Sequence, residues 1–103
     1  MYKLEFLEIA KKDIEDIIYY VTYNLKNKTA AIKLSKEFIK GANNILDFPY
    51  GISEYKPKYK LKYTYRSFKI KNFLMFYTIN EKDKIITIVR VIYQKMDINN
   101  ILE

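Results

Sequence analysis

Cysteine is absent from this chain of 103 residues, so neither a disulfide nor a thiolate metal site can form. Histidine is absent as well, which removes imidazole ligands and His-based acid–base catalysis. Any chemistry must run on Lys, Arg, Tyr, Asp, Glu, Ser or Thr, and no metal or other cofactor is implied. No apolar run approaches the ~20 residues needed to span a bilayer. The opening MYKLEFLEIAKKD mixes charge into its apolar residues and does not read as a secretory signal. A cytoplasmic protein without membrane association is expected. Repeats, low-complexity segments and linkers are also lacking, and the length suits one domain over residues 1–103.

What the chain does have is concentrated charge. The formal net charge is +7. Residues 1–53 carry eight Lys against seven acids, and residues 81–103 balance four against four. Residues 54–80 carry six Lys and one Arg against Glu54 alone. The excess therefore falls on the stretch KPKYKLKYTYR, from Lys56 to Arg66. In an extended segment Lys56, Lys58, Lys60 and Lys62 point the same way. Such a row attracts a polyanion, guards a sheet edge against pairing or seats an acidic protein segment. Tyr55, Tyr59, Tyr63 and Tyr65 lie between the lysines or just beyond them, a pairing that suits stacking on splayed bases. One of Tyr63 and Tyr65 is expected to pack inward instead.

Periodicity gives the elements. Tyr2–Phe6 alternates and reads as a strand. Ala10, Ile14, Ile17, Ile18, Val21 and Leu25 follow helical spacing. A turn follows, with Thr29 as the expected N-cap of a second helix. That helix carries the stripe Ala31, Leu34, Phe38, Ala42, Ile45 and Leu46, and Pro49 with Gly51 ends it. The short connection makes the two helices an antiparallel hairpin. After a loop to about Lys62 come three strand-like runs, Tyr63–Ile70, Phe73–Ile79 and Lys84–Tyr93, joined by hairpin-length turns. Ile98, Ile101 and Leu102 share one face of a short helical tail. The order β-α-α-β-β-β gives an α+β fold, with the helical hairpin on one face of a small, mostly antiparallel sheet.

This order, with these residues, resembles the RelE/ParE toxin superfamily of bacterial type II toxin–antitoxin systems. The likeness runs over essentially the whole chain. YKLEFLEIAKKDIEDI matches the family's first strand and the entry to its first helix. YRSFKIKNFLMFYTI matches its Tyr–Arg strand, turn and aromatic strand, and IITIVRVIYQKMDI its last strand. The resemblance implies a growth-inhibiting toxin, neutralised by a cognate antitoxin in a hetero-oligomer. RelE-like members cleave mRNA on the ribosome, whereas ParE-like members poison DNA gyrase. At the strand position where RelE-like nucleases carry arginine this chain has Leu74. Where they carry a basic residue past the last strand it has Gln94, with Lys95 beside it. Those departures tilt the reading to ParE-like, with the ribosome-dependent nuclease as the alternative and a non-toxic nucleic-acid-binding domain as a weaker one.

The candidates for chemistry are Arg66, Arg90, Tyr93 and Lys95. Arg66 can clamp a phosphate or pair on the sheet face. Arg90 interrupts an apolar strand, and by alternation it shares a face with Ile88 and Ile92. It serves as an ion-pair member or as part of a basic surface beside Arg66. Tyr93 and Lys95 stand where the resemblance places end-of-strand functional residues. Tyrosine needs nearby cations to act as a base, and Tyr77 is expected in the core. A carboxylate pair among Glu5, Glu8, Asp13, Glu15 and Asp16 could suggest acid–base work, but Asp13, Glu15 and Asp16 lie in the first turns of a helix, where acids complement the dipole. The expected working surface is the open face of the sheet, rimmed by Lys56–Lys62, Arg66, Arg90, Tyr93 and Lys95. The helical hairpin is the expected seat of the antitoxin.

Overall fold

A computed structural model describes residues 1–51 and 61–102. Lys56, Lys58 and Lys60, and with them Tyr55 and Tyr59, lie outside the described residues. Strand β1 is Lys3–Phe6. Helix α1, Glu8–Tyr19, runs on into a π-helical turn, Tyr20–Asn24, and helix α2 is Lys28–Asp47. Strands β2 (Arg66–Ile70), β3 (Phe73–Asn80) and β4 (Ile85–Tyr93) follow, then a short helix α3, Ile98–Leu102. The sheet order is β1-β4-β3-β2, with β1 parallel to β4 and the other pairs antiparallel. The α+β architecture expected from periodicity is therefore present. Among the described residues no helix is long and apolar enough to cross a membrane.

The helical stripe packs on one face of the sheet. Ala10, Leu34, Phe38, Ala42 and Ile45 meet Ile70, Met75, Tyr77, Ile86, Ile88 and Val91 in one buried cluster. Gly41 is what lets α2 approach β2. A Cβ there would lie 2.5 Å from Ile70 Cδ1 and 3.2 Å from the Phe68 ring.

Local details depart from the sequence reading in several places. The first helix does not stay α-helical to Leu25. Leu25 N–H donates to Tyr20 O at 3.1 Å, a five-residue return, and the Thr22 hydroxyl donates to Ile18 O at 2.7 Å. Such back-bonding by Thr and an inserted residue both loosen a helical end. The cap of α2 is Asn27, whose Oδ1 accepts from Ala30 N–H at 3.0 Å, and not Thr29. Asn caps as well as Thr or better, and here the helix begins one residue before Thr29. Finally, β2 begins at Arg66 and not at Tyr63, because the chain bends at Lys62 and Tyr63 and turns Tyr65 inward.

A β-bulge changes which residues of β4 face which side. Phe76 pairs with Arg90 and Tyr77 with Ile88, so Val89 is the extra residue. Ile88 and Val91 thus both reach the helix-side cluster, while Val89 and Ile92 join the other face. Simple alternation, which grouped Ile88 with Arg90 and Ile92, fails at this point. That second face is not open over its middle, as it was expected to be. Tyr65, Phe76 and Ile92 are buried there under Leu61 and the apolar side of α3, Ile98, Ile101 and Leu102.

Candidate functional site

Arg66 opens β2 opposite Tyr77, and the same alternation sends Phe68 and Ile70 into the helix-side cluster. Arg66 therefore lies on the helical side of the sheet, at its β2 edge. Its guanidinium sits 5.1 Å above the Tyr50 ring, within cation–π range. The Tyr50 hydroxyl donates to Glu81 Oε2 at 2.7 Å, and the Tyr2 hydroxyl donates to the same oxygen at 2.6 Å. Lys84 Nζ donates to Glu81 Oε1. Three donors on one carboxylate, Lys84 foremost, hold the Glu81 pKa down at about 2. The hydrogen bond to Glu81 pushes Tyr50 up to about 12. Close by, the buried Tyr77 hydroxyl donates to Pro49 O at 2.7 Å, and its burial pushes its pKa up to about 12. Tyr77 and Glu81 together fix Pro49 and Tyr50, just ahead of the lysine-rich segment.

The far end of that segment is fixed on the opposite face. Tyr65 is 6% exposed against Phe76 and Ile92, while Tyr63 points out. Their rings meet edge to face at 6.3 Å, and Lys62 Nζ lies 5.5 Å from the Tyr63 ring centre. Of the tyrosine pair, one packs inward and one stays at the surface.

Arg90 is committed elsewhere. Its Nε and Nη2 donate to Asp13 Oδ2 and Oδ1 at 2.7 and 2.9 Å, a two-point fork. The side chains are 23% and 14% exposed. Asp13 Oδ2 also accepts from Val91 N–H at 3.0 Å. The reason is local: β1 ends at Phe6, Leu7 N–H takes Ile88 O at 3.0 Å, and beyond that β4 has no strand neighbour on this edge. A carboxylate on α1 stands in for the missing strand. Asp13, by sequence an acid that complements a helix dipole, has its partner 77 residues away. Arg90 Nη1 also reaches Ile101 O at 3.4 Å, which ties α3 to the same pair.

Tyr93 ends β4 opposite Phe73, the rings 6.0 Å apart. It lines a groove of about 910 Å³ with Tyr20, Val21, Leu34, Lys71 and Phe73. Lys95 is exposed in the turn after β4. The four candidates do not converge. Arg66 lies on the helical side with Tyr77, whereas Arg90 belongs with Phe76 on the other. Tyr93 is on Arg66's side but four residues further along the strands, roughly 13 Å. Among the described residues this arrangement offers scattered cations and tyrosines and no assembled acid–base pair. No group of acidic side chains among them could hold a metal ion.

Comparison with known proteins adds a family. A family model described as the ParE toxin of type II toxin–antitoxin system, parDE, matches residues 4–98. No curated protein sequence matches significantly. Among solved structures, the chain is similar to the chromosomal ParDE toxin–antitoxin system from P. aeruginosa. The TM-score is 0.68 at 16% identity, covering 90% of this chain and 96% of that one. The toxin–antitoxin complex RelBE2 from Mycobacterium tuberculosis gives 0.57 at 18% identity, covering 89% and 96%. The archaeal RelE–RelB complex from Pyrococcus horikoshii OT3 gives 0.56 at 13% identity, covering 91% and 96%.

Proposed function

We propose, because the chain belongs to the ParE toxin family of type II toxin–antitoxin systems, that it inhibits growth in the cytoplasm by binding DNA gyrase. The family match over residues 4–98 carries this reading. Action by protein–protein contact also suits a chain whose candidate side chains stand apart on two faces. In this reading Lys56, Lys58, Lys60, Lys62 and Arg66 form the rim that meets the target, and Lys95 adds charge at the end of the last strand. Arg90 is structural.

A cognate antitoxin holds the toxin inactive in a hetero-oligomer, a reading supported by the similar fold of RelBE2, which is a toxin–antitoxin complex. Its seat is the floor of the 910 Å³ groove, where Ile17, Val21, Leu34 and Phe73 offer apolar sockets to an amphipathic helix.

The test is inducible expression in a bacterial host, with pulse labelling of DNA and protein synthesis in the first minutes. Early loss of DNA synthesis with a DNA-damage response is expected, together with survival of a gyrase-resistant host. Early loss of protein synthesis with truncated mRNAs would replace gyrase by the ribosome.

A further inference from the structure

Between Asp16 and Glu37 the chain has four lysines, Lys26, Lys28, Lys33 and Lys36, and no acid. The near-neutral balance of the first half hides this, because five of its seven acids come before residue 17. The acid-free stretch is the tip of the helical hairpin. Tyr19 and Tyr23 there are each 63% exposed, with rings 4.7 Å apart and tilted by 46°. Among the described residues neither hydroxyl has a hydrogen-bond partner. The π-helical turn holds this pair at the tip, and such turns recur at functional positions.

The tip continues into the mouth of the groove. Tyr20 from the hairpin and Tyr93 from the sheet both line it, with Lys33 of α2 and Lys71 of the β2–β3 turn. Neither lysine has an ion pair among the described residues. Asp16 also lines the groove, but Lys12 Nζ engages its carboxylate at 2.8 Å.

We propose that the hairpin tip and the mouth of this groove bind single-stranded nucleic acid. Bases stack on Tyr19 and Tyr23, and phosphates meet Lys26, Lys28, Lys33 and Lys71. Every base has a face that can lie on tyrosine, and Lys meets phosphate without reading sequence, so the surface gives affinity and little specificity. An acidic peptide would use the same ammonium groups but has no need of a paired, outward-facing set of rings. None of its residues belongs to the Lys56–Lys62 stretch, and the proposal does not depend on gyrase as the target. It uses the rim of the groove, not the apolar floor assigned to the antitoxin.

The test is a fluorescence-anisotropy titration of the purified full chain with a labelled oligo(dT) of about ten nucleotides. All proteins carry Lys56→Gln, Lys58→Gln and Lys60→Gln, so that the other basic segment does not dominate. Adding Tyr19→Ala with Tyr23→Ala should weaken binding about tenfold or more without changing its salt dependence. Tyr19→Phe with Tyr23→Phe should retain it. Lys33→Gln with Lys71→Gln should reduce the slope of log K against log salt by about 1.4. Should the tyrosine-to-alanine pair fail to melt cooperatively, the lysine pair decides. Unchanged affinity and slope in these variants overturn the proposal. So does a polyglutamate probe that binds with the same tyrosine dependence while oligo(dT) does not.

Discussion

On one face of the sheet, helices of 12 and 20 residues bury Met75, Tyr77, Ile86, Ile88 and Val91. On the other, Phe76 and Ile92 are covered by Tyr65, Leu61 and a helix of 5 residues. The first face is a continuous core that the rest of the chain is built around. The second is a small patch closed by the segment that leaves the lysine-rich stretch and by the tail. The Asp13–Arg90 fork joins them, since Asp13 belongs to α1 and Arg90 reaches α3 through Ile101 O. Stability should therefore be divided unequally between the two faces.

The largest contrast is between two isoleucines of β4. Ile88→Ala, on the helical side, should lose about 3.5 kcal/mol, and Ile92→Ala, on the thin side, about 2, in urea unfolding. Equal losses would mean that the two faces are packed alike. Next comes the fork. Asp13→Ala leaves a half-buried guanidinium and the Val91 N–H without their partner, and should cost about 2 kcal/mol. Arg90→Met strands the Asp13 carboxylate, 14% exposed, on the Val91 N–H alone, and should also cost about 2 kcal/mol. Amide exchange in α3 should speed up in both variants. If α3 stays as protected as in the parent, the fork does not connect the faces.

Tyr77→Phe should cost about 1 kcal/mol through the lost bond to Pro49 O. It should also change the alkaline limb. The Tyr77 pKa is raised from 10.0 to about 12 in the fold. Its contribution is thus complete below pH 10 and lost as pH rises through about 12. The phenylalanine variant should show a shallower loss in that window, with Tyr50 and Tyr2, both raised by Glu81, contributing to what remains. Glu81→Gln works at the acid end. Its pKa is lowered from 4.5 to about 2, so its contribution is present above pH 4.5 and fades as pH falls through about 2. A flatter acid limb of the melting temperature is expected, and an unchanged one would disconnect Glu81 from the stability of the helical side. The smallest effect is a gain. Lys26 has φ 51, so Lys26→Gly should stabilise by about 0.5 kcal/mol, read as an increase in melting temperature.

The elements were legible because each is announced by a local period. Ala10 to Val21 and Leu34 to Ile45 carry helical spacing, and the three C-terminal runs are rich in β-branched and aromatic residues. The candidate site was less legible. A bulge is a relation between two strands, so alternation within β4 could not place Arg90. Asp13 could not be matched to it across 77 residues, because a helix-dipole acid and an ion-pair acid look alike in one chain. Glu81 likewise gathers donors from Tyr2 and Tyr50, which only the folded chain brings to it. The acid-free hairpin tip is visible in the sequence, but the acids before residue 17 offset its charge within residues 1–53.

The bulge at Val89 also bears on how the chain finds its fold. If β4 slid by one residue against β3, every side chain beyond the slip would change face. Arg90 would then be turned from Asp13, and the Val91 N–H would meet no acceptor. The fork is satisfied in only one alignment of the strands, so it acts as a proofreading contact. It penalises the misaligned sheet, and α1 in its docked place holds the correct one.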